Sequence, residues 1–180
     1  MATKQLISVE EFAQMETADT EAYELVDGEL IPLPSATPLH GMIRGFLEHL
    51  IRNYFERNPI GGVIAETDCR VIGGGVRRPD LSIFLGERWQ QLDLRTVPVL
   101  SAPDIAVEVY SPSEQVIEAT RKVREYLSSG SQEVWLLDYE NRELQVRTKA
   151  GIRVLNEDEV LETPLLPGFS LAVSMLLAGR

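Results

Sequence analysis

Pro79-Asp80-Leu81-Ser82-Ile83-Phe84 is echoed by Pro103-Asp104-Ile105-Ala106-Val107-Glu108-Val109-Tyr110, and this repeat decides how the chain is read. In each, a proline and an aspartate lead into an apolar run of strand length. Ser111-Pro112-Ser113 then turns the chain into a helix that carries Lys122. Past Gly130 an apolar run, Val134-Trp135-Leu136-Leu137, returns as a third strand. Strand, strand, helix and strand predict an α/β unit in which two acids and a lysine meet at one edge of a sheet.

Strand alternation puts Ile105, Val107 and Val109 on one face, and Asp104, Ala106, Glu108 and Tyr110 on the other. A glutamate inside so apolar a strand is costly to bury unless something pairs with it. A divalent cation is one such partner, and Asp80 is placed to supply a second carboxylate. Mg²⁺ takes one or two protein carboxylates and keeps its other positions for water and phosphate oxygens. Such a site suits in-line attack on a phosphodiester. Lys122 adds a positive charge that can steady the attacking water or the charge developing on phosphorus. Glu118 and Lys122 also have the i,i+4 spacing of an ordinary exposed helix pair, and the spacing admits both readings.

Other residues carry plainer expectations. Asp104 reads as the start of a strand. Glu24 flanks a hairpin and reads as a solvated charge, and His40 reads as a histidine of a helix's first turn. Arg77-Arg78 reads either as a phosphate-steering pair or as a solvated one. Zinc-type Cys/His spacing, a nucleophile elbow and a dinucleotide fingerprint are all absent from the sequence.

Around this centre, Ser8 and Glu11 have capping-box spacing for a short helix with Phe12 and Met15 on its apolar face. Tyr23 to Ile31 reads as a hairpin turning at Asp27-Gly28. Met42, Ile43, Phe46, Leu47, Leu50, Ile51, Tyr54 and Phe55 mark the strongest helix, which ends at Asn58-Pro59. Val63 to Ala65 and Arg70 to Ile72 read as strands, and Gly73-Gly74-Gly75 as a hairpin connection. Gly86 to Ala102 reads as surface loop with one short turn. The helix through Lys122 is capped by Ser111, starts with Pro112, has Glu114 at its third position and buries Val116, Ile117, Val123 and Leu127. Strands follow at Gln132–Asp138, Leu144–Arg147 and Ile152–Leu155, with a short helix near Val173–Leu177.

The 180 residues are 44% hydrophobic and 25% charged, and residues 1–180 read as a single soluble domain. Cys69 is the only cysteine, which excludes an intrachain disulfide and favours a reducing compartment. The first residues lack a signal-peptide core and no run is long enough to span a bilayer, so a cytoplasmic protein without membrane partners is expected. The net charge of −11 argues against strong, non-specific DNA affinity, because duplex binding draws on a basic footprint.

Several of these segments together resemble a known family. Tyr23-Glu24-Leu25-Val26-Asp27-Gly28-Glu29-Leu30 and His40 open the likeness. Arg78-Pro79-Asp80 and Pro103-Asp104…Glu108-Val109-Tyr110-Ser111-Pro112-Ser113 continue it. Lys122…Tyr126…Gly130, Glu133-Val134-Trp135-Leu136-Leu137-Asp138 and Leu166-Pro167-Gly168 complete it. The chain resembles the bacterial putative restriction endonuclease family of the PD-(D/E)XK nuclease superfamily. That resemblance implies a restriction endonuclease-like α/β core, a central mixed β-sheet flanked by helices. It implies Mg²⁺, with Mn²⁺ as substitute, held by Asp80, Glu108 and the main-chain carbonyl of Val109. Many members carry the lysine two residues after the glutamate. Here Tyr110 stands at that position, and the resemblance assigns the role to Lys122. Glu24 and His40 match further motif positions and are expected to line the same cleft. The implied activity is endonucleolytic hydrolysis of DNA by a homodimer. Two alternatives stand beside it: a non-catalytic nucleic-acid-binding or scaffold protein that retains the fold, and a phosphodiesterase acting on RNA or small nucleotides.

Overall fold

The structure, a computed structural model, describes residues 6–15, 23–110 and 116–177. The expected cap at Ser111, helix start at Pro112 and acid at Glu114 lie outside the described residues. The first elements are α1 (Val9–Gln14), β1 (Tyr23–Val26), β2 (Glu29–Pro32) and α2 (Pro38–Arg57). Then come β3 (Gly61–Ala65), β4 (Cys69–Val71), β5 (Gly75–Arg77), β6 (Leu81–Leu85), α3 (Gly86–Gln90) and β7 (Ile105–Tyr110). The chain continues through α4 (Val116–Ser128), β8 (Glu133–Asp138), β9 (Glu143–Arg147) and β10 (Ile152–Asn156). It closes with β11 (Val160–Glu162), β12 (Ser170–Ala172) and α5 (Val173–Leu177).

Six strands form the central sheet in the order β10-β9-β8-β7-β6-β3. Only β7 and β8 run parallel in it, joined through α4, so the sheet is mixed as the resemblance implied. Its two faces are covered by different helices. Ile43, Leu47, Ile51 and Phe55 of α2 pack on Ile83, Ile105, Val107, Val109, Trp135 and Leu137. Val123 and Tyr126 of α4 pack on Ala106, Val134 and Leu136 from the other side. The alternation read from β7 therefore holds, and it turns Glu108 towards α4. Each fully buried Leu, Ile, Val or Phe in these layers contributes about 1.5–3 kcal/mol by leaving water.

A second sheet, β2-β1-β5-β4, was not foreseen as a unit. The β1–β2 hairpin turns at Asp27 (φ 52°) and Gly28 (φ 79°), the left-handed pair that a two-residue turn of this kind requires. β1 also pairs antiparallel with β5, Leu25 opposite Val76. That register brings Glu24 beside Arg77, which matters below. The glycine triplet does connect an antiparallel pair, β4 and β5.

Three expectations about helix faces need correction. Met42 and Phe46 are 57% and 37% exposed, because the row 43-47-51-55 makes the buried contact with the sheet and only Leu50 and Tyr54 pack partly beside it. Ile117 is exposed as well. The inner face of α4 is built from Ala119, Lys122, Val123 and Tyr126, and a lysine in that row breaks the apolar pattern on which the reading relied. The capping box of α1 is present, with the Ser8 hydroxyl accepting from Glu11 N–H and the Glu11 carboxylate accepting from Ser8 N–H. Met15, however, is exposed.

Candidate active site

Three elements deliver the acids and the lysine to one end of the central sheet. Asp80 precedes β6, whose Leu81 lies opposite Val107, so the aspartate comes alongside Glu108 on β7. Its Oδ2 accepts the Val109 N–H at 2.6 Å and contacts His40 Nε2 at 3.2 Å. His40 is presented by the first turn of α2, where the Thr37 side chain accepts the His40 N–H and Pro38 opens the helix. The hydrogen bond to Asp80 raises the imidazole pKa more than burial lowers it, and the Val109 main chain adds to the rise. His40 is thus joined to Asp80, as well as being a first-turn histidine. Asp80 Oδ1 has no hydrogen-bond partner among the described residues.

Glu108 is buried on the α4 side of the sheet. Tyr126 O–H donates to its Oε1 at 2.7 Å and Lys122 Nζ to its Oε2 at 3.3 Å. Burial first, then the Glu108 and Glu24 charges, push the Tyr126 pKa well above its ordinary value, so the hydroxyl remains a donor. Lys122 is itself buried, and its Nζ lies 3.6 Å from Glu24 Oε1. The reading of Glu118 and Lys122 as an exposed helix pair does not survive, since Glu118 turns to Arg77 instead. Nor is Glu24 a solvated charge: it is buried, accepting from Arg77 Nη1 at 2.7 Å and from Arg78 N–H at 3.0 Å.

Arg77 is where sequence reasoning fell furthest short. It is neither solvated nor phosphate-steering. Completely buried, it meets Glu24 and Glu118 through Nη1, both at 2.7 Å, and Glu125 through Nε at 2.6 Å. Burial works against its charge, but Glu125 and Glu24 outweigh it and raise the guanidinium pKa. One signal was available: Glu118, Lys122 and Glu125 fall on one face of α4, more charge than an apolar strand edge accommodates without a cation from elsewhere. Arg78 is committed to Asp68 by two bonds of 2.7 and 2.9 Å. Arg44, one turn beyond His40 on α2, pairs with the exposed Glu66 and was also missed. Asp104 does play the structural part expected of it, accepting from Leu85 N–H and the Gln132 amide.

The donor set fits a hard divalent cation. Asp80 and Glu108 neighbour one another in register across β6 and β7, Val109 follows Glu108 and donates its N–H to Asp80, and Asp80 Oδ1 has a lone pair to give. Groups of three or more His, Cys, Asp or Glu with metal-site geometry do not occur among the described residues. Mg²⁺ takes few protein carboxylates and keeps water in its other positions.

A family model, Uma2, described as Putative restriction endonuclease, matches residues 9–174. Among solved structures, the crystal structure of a putative nuclease belonging to DUF820 from Anabaena variabilis ATCC 29413 has a TM-score of 0.83 and 22% identity. The match covers 96% of this chain and 98% of that one, and at such identity it speaks for the fold. A cryo-EM structure of a DrdV–DNA complex matches with a TM-score of 0.45 and 12% identity over 75% of this chain and 11% of that one, too loosely to support any argument. No curated protein matches. Among the described residues, no helix is long and apolar enough to cross a membrane.

Proposed function

Since the chain belongs to the putative restriction endonuclease family, we propose that it is a metal-dependent endonuclease that hydrolyses DNA phosphodiester bonds. The observation that carries this reading is the buried Lys122 on Glu108, with Asp80 next to Glu108 in register across β6 and β7. Asp80, Glu108 and the Val109 carbonyl would hold Mg²⁺, with Mn²⁺ as a substitute. The ion, when bound, supplies Lewis-acid polarisation of the phosphate and acidification of a water. Around it the chain's own groups have separate tasks. Tyr126 and Lys122 fix the Glu108 carboxylate from two sides, and His40 and the Val109 N–H fix that of Asp80. The Lys122 ammonium brings a positive charge to the point where negative charge grows on the phosphoryl oxygens, in surroundings from which water is largely excluded. Glu24, paired with Arg77, lies 3.6 Å from the Lys122 ammonium. Cutting both strands of a duplex calls for two copies of such a site, so a homodimer belongs to the proposal.

The net charge favours a second reading. The chain carries −11, and Arg44, Arg52, Arg70, Arg78, Arg121 and Arg142 are all engaged in ion pairs. A short or single-stranded substrate, RNA or a small nucleotide, demands less of a basic surface than duplex DNA does.

The test is cleavage of plasmid, linear duplex, single-stranded DNA and RNA in Mg²⁺ or Mn²⁺, with D80N and E108Q as controls and calorimetry for the metal. Cleavage that needs metal and is lost in both variants is expected. Undiminished cutting by the variants, or no heat of binding at millimolar metal, overturns the proposal.

A further inference from the structure

We propose that Arg77 is a positioning residue: by neutralising Glu24 it leaves the Lys122 ammonium with Glu108. The inference rests on the nuclease reading for the importance of Lys122, but its geometry can be tested without it.

Lys122 Nζ lies between two buried carboxylates, 3.3 Å from Glu108 Oε2 and 3.6 Å from Glu24 Oε1. Which of them holds it depends on what else each one has. Glu24 Oε2 has the Arg77 guanidinium at 2.7 Å, and among the described residues its Oε1 has only a main-chain N–H, from Arg78, besides Lys122. The Arg78 guanidinium is occupied by Asp68. Take away the charge of Arg77 and Glu24 becomes a buried carboxylate whose nearest cation is Lys122. Burial of an unpaired charge is so unfavourable that the ammonium is drawn across to it, away from Glu108.

The other two carboxylates on Arg77 do not share this dependence. Glu118 is 36% exposed and can turn to water. Glu125 retains a second guanidinium, that of Arg121, at 2.8 Å. Helix α4 itself is seated by Val123 and Tyr126 against the sheet. Of the three acids that Arg77 touches, Glu24 is the one left with Lys122 when Arg77 is lost. The sequence arranges this through two registers. β1 against β5 sets Glu24 beside Arg77, and the spacing of 118, 122 and 125 on α4 sets Lys122 between two acids that Arg77 also holds.

The experiment compares crystal structures and kinetics of the full chain as wild type, R77M and R77M/E24Q. In R77M, Lys122 Nζ is expected to leave Glu108 for Glu24, and kcat to fall by about 10–100-fold with KM changed by less than about threefold. In R77M/E24Q, with charge and counter-charge both removed, Nζ returns to Glu108 and kcat recovers relative to R77M. A role confined to bracing α4 predicts no such suppression by E24Q. Lys122 remaining on Glu108 in R77M, or failing to return in the double variant, overturns the inference. Should R77M not fold, R77K keeps a charge beside Glu24, and Lys122 stays on Glu108. Finding Lys122 on Glu24 in R77K equally overturns it. If Lys122 moves as expected while wild type cleaves no substrate with either metal, the nuclease reading fails and the positioning role stands. If cleavage is sound and Lys122 does not move, the positioning role alone falls.

Discussion

Replacing Tyr126 with phenylalanine removes one oxygen from beside Glu108 and leaves the ring's packing in place. The ring is fully buried against Val71, Ala106, Val123, Val134 and Leu136, so Y126F opens no cavity. What disappears is the 2.7 Å hydrogen bond to Glu108 Oε1. A hydrogen bond to a charged group contributes about 1.5–3 kcal/mol. In a chain of this length each kcal/mol moves Tm by about 2–4 °C, so the variant should melt about 3–12 °C lower. Because the tyrosine pKa is pushed well up, the hydroxyl stays protonated, and the loss should be the same across neutral and mildly alkaline pH. Function should suffer as well. A group that orients a metal-binding carboxylate typically carries about 10–100-fold in metal affinity or activity. Thermal melts and a Mg²⁺ titration of cleavage measure the two effects. A Y126F protein with wild-type Tm and an unaltered metal response would refute the claim that this hydroxyl holds Glu108.

Further predictions follow from the charges and from the cysteine. Burial pulls the Glu125 pKa up, but the hydrogen bonds from Arg77 and Arg121 outweigh it and leave it below the ordinary 4.5. The folded state therefore binds this proton less readily than the unfolded chain. Its stabilisation is complete above pH 4.5 and fades as pH falls through the folded value, so the Tm gap between wild type and E125Q should narrow on acidification. A gap that widens in acid contradicts the assignment. Burial above all raises the Cys69 thiol to about 12, so a thiol reagent at pH 8 should label one cysteine in urea and none in the native protein; rapid native labelling would argue against the packing around β4. R44A should raise KM more than it lowers kcat, and E66Q should lower KM by releasing the arginine for phosphate. Identical KM values across wild type and both variants would place Arg44 away from the substrate.

Much of this fold was legible in the residues, and the legible parts share a cause. The capping box at Ser8 and Glu11, the Asp27-Gly28 turn, α2 ending before Pro59 and the face of β7 that carries Glu108 all follow from spacings within a few residues. Backbone geometry alone converts those spacings into direction. That β7, α4 and β8 form one strand-helix-strand unit, with Lys122 of the helix beside Glu108 of the strand, was also within reach. The environment of each charge was not. Whether Glu24 is solvated or buried depends on β1 pairing with β5, and the bond it makes there joins residues 53 apart in the chain. Met42 looked as apolar as Ile43, yet the core took in Ile43 and left Met42 exposed. Sequence by itself determined where the elements run, how they are capped and turned, and the two faces of β7. Only the tertiary structure decided which charges meet, since ion pairing is set by distances across elements that no local spacing encodes. The burial of Arg77 among Glu24, Glu118 and Glu125, brought from β1 and α4, is the clearest case.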